Sequence, residues 1–241
     1  LPTIAHSLAV TSGASVWVVT AYQLAIVMFL LPAGAAGERF GYRGMFMAGV
    51  VLFTLASPPC ALSTSLPMLV AARFLQGVGS AGVIALAVGL LRFIYPKRLL
   101  GAAIGWNAIA VALSGAAGPS IGAAILSVAD WPWLFAVNIP VGLLTFAAAW
   151  ALPIARAQGR RLDIASIVLN AVAFGGLFFG IDRVVAEPRL GIGLLIAAAI
   201  ALASLIRREL PRPHPLVPLD LLRERTFLLS VVFPKAGNLG L

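Results

Sequence analysis

An arginine embedded in a long apolar stretch is the residue of this sequence best placed to do chemistry. Arg73 is the single charged residue of the 26 between Leu66 and Leu91. A helix rises about 1.5 Å per residue, so this run is long enough to cross the ~30 Å hydrocarbon core of a bilayer. An ionised side chain about two turns inside such a helix is costly unless it faces a partner or a wet cavity. We therefore expect Arg73 to face the interior of a helical bundle.

The residues that follow Arg73 strengthen this expectation. Gln76 and Gly77 stand three and four positions further on, so all three share one helical face. From Gly77 to Gly89 every fourth residue is glycine or alanine, a stripe that lets another helix approach closely. The alternative is that Arg73 snorkels to the outer headgroups, which its depth of ~10 Å permits. We favour a functional position for Arg73, Gln76 and Gly77, on a helix beside a central pathway.

The composition indicates that lipid is the solvent of this chain. Of its 241 residues 61% are hydrophobic and 10% are charged, and a soluble domain cannot bury so much apolar surface. Seven complete apolar runs can span a bilayer as helices: 16–36, 44–62, 66–91, 99–128, 134–152, 164–181 and 190–206. Because none of them contains Asp or Glu, an intramembrane carboxylate partner for Arg73 must lie outside this sequence. The predicted fold class is an all-α, polytopic transmembrane helical bundle.

The basic residues orient this bundle. The net charge is +9, and 13 of the 17 lysines and arginines fall in the connections 37–43, 92–98, 153–163 and 207–225. This alternation is typical of multi-span proteins, in which the basic loops are cytoplasmic. It argues against nucleic acid as a partner, because a basic binding face requires a folded soluble domain. One cysteine and the lack of catalytic or metal-binding spacings predict no metal, no cofactor and no enzymatic activity.

The connection from Gly34 to Arg43 is a candidate conformational loop. Its glycines, Gly41 among them, permit a tight reversal and a close helix approach. Glu38 and Arg39 are able to pair with charges at another helix end or with its dipole. The alternative interpretation is a basic loop that only sets topology.

The fourth apolar run carries a second informative pattern. Pro119 lacks an N–H and its ring crowds the carbonyl of Gly115, which predicts a kink. Small residues line one face of this run: Gly101, Gly105, Ala108, Ala112, Gly115 and Gly122. The pattern indicates a hinge or a tight seal between moving helices, and ordinary small-residue packing is the alternative.

Together these motifs resemble those of the major facilitator superfamily. The loop from Gly34 to Arg43 resembles its signature loop, with Glu38 where Asp is usual and Tyr42 where a basic residue is usual. Arg73-Phe-Leu-Gln-Gly-Val-Gly resembles its fourth-span motif, whose arginine is implicated in proton transfer. The antiporter motif of its fifth span resembles four residues here: Gly115, Gly118, Pro119 and Gly122.

A fourth segment narrows the resemblance to a subgroup. It resembles the start of the sixth span in fourteen-span drug:proton antiporters, and its informative residues are Trp131, Trp133, Asn138 and Pro140. The two extra helices between 164 and 206 fit this subgroup, because twelve-span members lack them. The resemblance implies an N-terminal six-helix half over 1–152 and two linker helices within 153–206. Residues 207–241 would be a cytoplasmic loop and the truncated start of another span.

The resemblance implies a proton-coupled exporter of lipophilic or amphipathic small molecules that works by alternating access. Its partners would be a small-molecule substrate, protons, the lipid bilayer and a missing C-terminal half, in the plasma (inner) membrane of a bacterium. Two alternatives stay open. One is a truncated, non-transporting membrane protein or fragment, and the other is a facilitator or symporter of the same superfamily.

Overall fold

The chain is helical throughout the residues that the computed structural model describes, which are 2–154 and 163–210. The helices are α1 (Pro2–Ser7), α2 (Ser12–Ser15), α3 (Trp17–Phe40), α4 (Tyr42–Ala61), α5 (Leu66–Ile94), α6 (Lys97–Val128), α7 (Trp133–Ala136), α8 (Asn138–Ala149), α9 (Ile164–Arg183) and α10 (Pro188–Glu209). The predicted loop and further span over 207–241 lie outside the described residues, apart from 207–210. Two compact units divide the chain, Leu1–Leu162 and Asp163–Leu241.

Most of the described helices have the length and apolarity of membrane spans. Six described segments meet both conditions: Ser12–Phe40, Tyr42–Ala61, Leu66–Ile94, Lys97–Val128, Ile164–Arg183 and Pro188–Glu209. They carry large apolar side chains on their outer surfaces, and α6 has no buried residue at all. In α6, Trp106 is 72% exposed and Leu113 is 66% exposed, a surface that suits lipid and not water.

The fifth predicted span, 134–152, is shorter than the sequence predicts. Helices α7 and α8 form one apolar segment, Trp133–Ala149, which is interrupted at Val137. Pro140 has no N–H, so the carbonyl of Ala136 receives no helical hydrogen bond and the ladder breaks there. Val137 keeps helical dihedral angles (φ −59°, ψ −27°), so the chain continues in nearly the same direction. At about 1.5 Å per residue this segment spans roughly 25 Å.

Helix α5 is the centre of the first unit, with α3 on one side and α4 on the other. The contacts are so close that a Cβ on Gly77 would lie 2.5 Å from the carbonyl oxygen of Tyr22 in α3. A Cβ on Gly79 would lie 2.5 Å from the backbone nitrogen of Phe53 and 2.8 Å from the carbonyl oxygen of Gly49, both in α4. Glycine therefore lets three backbones touch, which is how membrane helices gain van der Waals contact without a hydrophobic driving force.

One end of this three-helix core is closed by a cluster of buried apolar side chains. The members are Ile4, Val18, Cys60, Leu69, Ala72, Trp131 and Phe135. They come from α1, α3, α4, α5, α7 and the turn before α7, so the cluster holds these segments together around the first turns of α5. This packing fixes the surroundings of Arg73, which stands one position beyond Ala72.

The second unit is an antiparallel hairpin of α9 and α10. Gly180 packs against Leu195, and Gly176 packs against Ala198, so the contact positions run in opposite directions along the two helices. The charged turn between them is braced by Arg183, whose Nη1 donates to Glu187 Oε1 at 2.8 Å. The two final apolar runs of the described chain thus form a pair of helices that contact each other.

Asp163 ties the open end of this hairpin together. Its Oδ1 accepts from the backbone N–H of Ala165 at 3.2 Å, which caps α9. The guanidinium of Arg208 in α10 donates to both carboxylate oxygens, at 2.8 and 3.2 Å. The hydroxyl of Ser166 lies 2.7 Å from Asp163 Oδ2 and 2.6 Å from Glu209 Oε1. One carboxylate thus joins the start of α9 to the end of α10.

The substitution Asp163→Ala is expected to loosen this hairpin. Loss of an N-cap costs about 0.5–2 kcal/mol, and the hydrogen bonds from Arg208 are lost as well. Hydrogen exchange of the amides at 164–167 should therefore accelerate by about tenfold. Asp182→Ala is the matched control, because its contact with Arg183 is exposed and 3.6 Å long. Equal exchange in the two variants would contradict this role of Asp163.

Candidate functional site

Arg73 sits among polar and aromatic groups from four helices. Its Nε donates to the carbonyl oxygen of Val18 in α3 at 3.2 Å, and its Nη1 donates to Oε1 of Gln76 in α5. The guanidinium carbon lies 4.1 Å from the ring centroid of Tyr22 and 5.6 Å from that of Phe135. Both distances permit a cation–π interaction. Arg73 is thus held in one direction by groups that carry no charge.

Gln76 connects Arg73 to α4. Its side chain is fully buried, and its Nε2 donates to Ser57 Oγ at 2.8 Å. Ser57 Oγ in turn donates to the carbonyl oxygen of Phe53 at 2.9 Å. The thiol of Cys60 lies 3.9 Å from Gln76 Oε1 and is also fully buried. We call the side chains around the guanidinium the Arg73 cluster; its members are Tyr22, Ser57, Cys60, Arg73, Gln76 and Phe135.

The electrostatics of the Arg73 cluster are those of an uncompensated cation. Within residues 2–154 no carboxylate lies within ion-pair distance of the guanidinium. Carbonyl, amide and aromatic groups stabilise the positive charge without neutralising it. A half-buried cation in this state attracts any carboxylate or other anion that enters the site, because the local dielectric constant is well below that of water. Arg73 and Gln76 share a hydrogen bond and Gly77 packs against α3. The predicted role of these three residues stays a prediction.

Tyr22 is shared between the Arg73 cluster and a neighbouring cavity of about 270 Å³. Its hydroxyl is hydrogen-bonded to Ser80 Oγ at 2.7 Å. Thr145 supplies the third hydroxyl of the lining, and it donates to the carbonyl oxygen of Val141 at 2.8 Å. The remaining lining residues are apolar: Val50, Phe53, Val83, Ile84, Val141 and Gly142. Such a cavity suits a largely apolar molecule with few polar groups.

The predicted loop at 34–43 is almost entirely helical. Helix α3 continues to Phe40 and α4 begins at Tyr42, so the reversal is made at Gly41 alone, with φ at 100°. A side chain at that φ would be strained, so glycine is required there. The prediction of a longer loop is wrong because Gly37 packs against Leu86 and extends the α3–α5 contact past residue 36.

The charged residues of this reversal lie at the end of α3 and the start of α4. Arg43 donates from Nη2 to the carbonyl oxygen of Trp150 at 2.6 Å and lies over the Trp150 ring at 5.6 Å, which joins α4 to the end of α8. Arg39 lies 5.2 Å from the ring centroid of Phe40. Glu38 lies in the last turn of α3. Around Gly34 no described atom lies within 4 Å of an added Cβ, so the close approach predicted there is absent from the described part of the chain.

The structure places the antiporter-type motif away from the Arg73 cluster. Gly115, Gly118, Pro119 and Gly122 all lie in α6, which continues as one helix through the proline. No described atom lies within 4 Å of a Cβ added at Gly115 or Gly118, and at Gly122 the nearest is Leu134 at 3.9 Å. The predicted kink and seal therefore remain predictions, since the described helices leave this face open.

The predicted sixth-span start divides between two environments. Trp131 is buried and packs edge-to-face on Phe135 with ring centroids 6.1 Å apart, so it supports one wall of the Arg73 cluster. Trp133 is 58% exposed. Asn138 begins α8, and Pro140 causes the interruption before it. Of these four residues, Trp131 is thus the one that packs against a member of the Arg73 cluster, through the ring of Phe135.

Four members of the Arg73 cluster were not predicted as site residues: Tyr22, Ser57, Cys60 and Phe135. A signal was present, because Ser57 and Cys60 share a face of α4 at a spacing of three. That spacing shows which residues share a face, but it does not show which helix the face meets.

Comparison with known proteins identifies the class to which this arrangement belongs. The model of the Major Facilitator Superfamily matches residues 1–206, and the chain belongs to that family. The predicted fold class is thereby confirmed, as is a multi-pass membrane protein. Among the described residues, no group of three His, Cys, Asp or Glu side chains is placed to hold a metal ion.

Three relatives illustrate the similarity. The uncharacterized transporter YebQ of Escherichia coli (strain K12) is 45% identical over 239 residues, which are 96% of this chain and 52% of YebQ. The tetracenomycin C resistance and export protein of Streptomyces glaucescens is 36% identical over 217 residues, 86% of this chain and 40% of that protein. The uncharacterized MFS-type transporter Rv1250 of Mycobacterium tuberculosis is 33% identical over 234 residues, 95% of this chain and 40% of Rv1250. The chain spans about half the length of the curated relatives it matches, or less.

Proposed function

We propose that this chain is the N-terminal part of a proton-coupled exporter of lipophilic or amphipathic small molecules. The observation that carries the proposal is the guanidinium of Arg73 within a membrane helix, whose contacts among the described residues are all with uncharged groups. An intramembrane charge is costly, and a fold retains one where it serves an ion or substrate pathway. Transport would proceed by rocking of two halves around a site near the middle of the membrane.

Proton coupling follows from what Arg73 does to a carboxylate. A carboxylate beside a guanidinium stays ionised, and one that moves away into an apolar site takes up a proton. A conformational change that brings an acidic residue of the complete transporter to Arg73, and later removes it, would therefore release and bind one proton per cycle. Gln76 would serve this step by holding the guanidinium of Arg73, and Gly77 by allowing α3 to pack closely against α5.

The substrate class follows from the cavity beside Tyr22. Its apolar lining and three hydroxyls favour a lipophilic molecule that carries a small number of polar groups. The named export activity of the Streptomyces glaucescens relative, for tetracenomycin C, supports a small organic substrate.

The other motifs take roles within the same proposal. The α9–α10 hairpin would be the pair of extra helices of a fourteen-span antiporter, and a second helical half would complete the pathway. The open small-residue face of α6 around Pro119 would seal against that half. The reversal at Gly41, with Glu38, Arg39 and Arg43, would stabilise one conformation. The bacterial relatives support a location in the bacterial inner membrane.

Expression of the full-length protein in a bacterium that lacks its own drug exporters tests the function. Cells should accumulate less ethidium than cells with an empty vector, since active export opposes passive entry. A protonophore should abolish the difference by collapsing the proton gradient. Equal accumulation with and without the protonophore would contradict proton coupling.

A further inference from the structure

We propose that Ser57 is a positioning residue for Arg73 and that it acts through the side-chain amide of Gln76. The transport part of this proposal rests on the proposed function, whereas its structural part does not. Four hydrogen bonds form one chain that begins on α4 and ends on α3, and they link Phe53, Ser57, Gln76, Arg73 and Val18 in that order.

The direction of this chain is fixed by the donors. A serine hydroxyl has one proton, and Ser57 gives it to the carbonyl oxygen of Phe53 at 2.9 Å. Towards Gln76 it therefore presents only a lone pair, which accepts from Nε2 at 2.8 Å. Since the NH₂ of the amide faces Ser57, its oxygen faces the guanidinium of Arg73. The Ser57 hydroxyl thus orients the side-chain amide of Gln76 so that its oxygen, and not its NH₂ group, faces Arg73.

Because the site is buried, the Gln76 amide cannot change this orientation without losing a hydrogen bond. Ser57, Gln76 and Cys60 are all fully buried, so water does not replace a lost partner. Without the Ser57 hydroxyl, Nε2 would be left without its acceptor. Turning the amide over would place its N–H groups against the N–H groups of Arg73, donor against donor. Either outcome weakens the hold on the guanidinium.

The role of Ser57 differs from that of an ordinary helix hydroxyl. Thr54, on the same helix, and Ser63, two residues beyond its end, also donate to the carbonyl four residues earlier, at 2.7 and 2.6 Å. Of these three hydroxyls, Ser57 is the one that also accepts from a side chain of α5. Ser63→Ala is therefore a matched control, because Ser63 is 5% exposed and loses the same bond to the backbone.

Cys60 provides a reporter that does not depend on transport. It is the only cysteine of this chain, it is fully buried, and its thiol contacts the same Gln76 oxygen. We expect Ser57→Ala to accelerate modification of Cys60 by N-ethylmaleimide about tenfold, the effect of losing one hydrogen bond of this kind. Ser57→Thr and Ser63→Ala should stay within twofold of the unchanged protein. Mass spectrometry of the Cys60 peptide from the full-length protein in membranes measures this rate.

The transport readout separates positioning from simple destabilisation. Ser57→Ala should lower kcat for ethidium about tenfold, leave KM within twofold and shift the pH profile, while Ser57→Thr restores all three. If Ser57→Ala does not reach the membrane, Ser57→Val against Ser57→Thr makes the same comparison, because the two side chains match in shape and differ in the hydroxyl.

Two results would overturn the proposal. Cys60 modification as slow in Ser57→Ala as in Ser63→Ala would show that Ser57 does not hold Gln76. Faster modification of Cys60 in Ser57→Ala, with an unchanged pH profile and kcat, would show that the position of Gln76 does not affect the function of Arg73. If ethidium export by the unchanged protein does not depend on the proton gradient, the proposed function is rejected instead. The rates of Cys60 modification would still test the structural role of Ser57.

Discussion

Replacing Arg73 with alanine is expected to abolish proton-driven export, with a fall in rate on the order of a hundredfold or more. The substitution removes the charge on which the coupling step depends. It also removes two hydrogen bonds from a charged donor, each worth roughly 1.5–3 kcal/mol, and leaves the buried oxygen of Gln76 without that donor. Ethidium efflux from cells that contain equal amounts of each variant in the membrane measures the effect.

Arg73→Lys is the informative companion to this substitution. It keeps the charge, but an ammonium does not reach the Val18 carbonyl and the Gln76 amide from one planar group while lying over the Tyr22 ring. We expect it to retain between about a hundredth and a tenth of the export rate. Export at the original rate in Arg73→Ala would remove Arg73 from the mechanism.

The second large effect is expected at Gly79, where α4 and α5 touch. In Gly79→Leu the new side chain would meet backbone atoms of Phe53 and Gly49, which lie within 2.5 and 2.8 Å of the Cβ position. Backbone atoms do not rotate away, so the two helices must separate. Overpacking of this kind costs about 1–3 kcal/mol, and a side chain as large as leucine is expected to exceed that range. The melting temperature in detergent should therefore fall by 10 °C or more, on the order expected for several kcal/mol.

Gly193→Leu is the control for this prediction. It places the same side chain on α10, where no neighbouring atom of the described chain lies within 4 Å of an added Cβ. Since leucine is a better helix former than glycine, the melting temperature should stay the same or rise slightly. Equal losses of stability at Gly79 and Gly193 would contradict the close packing of α4 and α5.

The sequence was sufficient for features that depend on the spacing of residues within one helix. The position of α5, the shared face of Arg73 and Gln76, and the small-residue stripe beginning at Gly77 all follow from a period of 3.6 residues. The family was also within reach, because several motifs occur in the right order along the chain. Each of these predictions needs information from a single stretch of sequence.

Features that depend on which helices pack against each other could not be predicted from the sequence. Arg73 contacts Val18 and Tyr22, 55 and 51 positions earlier, and Phe135, 62 positions later. Ser57 joins the site because α4 packs against α5 through glycine, and no periodicity within α4 predicts that neighbour. The end of α3 was misplaced for the same reason, since the contact of Gly37 with Leu86 carries the helix through Phe40.

Proton movement in proteoliposomes tests the central claim most directly. The full-length protein is reconstituted, a pH gradient is imposed, and internal pH and ethidium are followed together. We predict that ethidium movement in one direction is matched by proton movement in the other, and that both are lost in Arg73→Ala. Ethidium movement at the same rate without a gradient, with no accompanying proton flux and no loss in Arg73→Ala, would contradict the account.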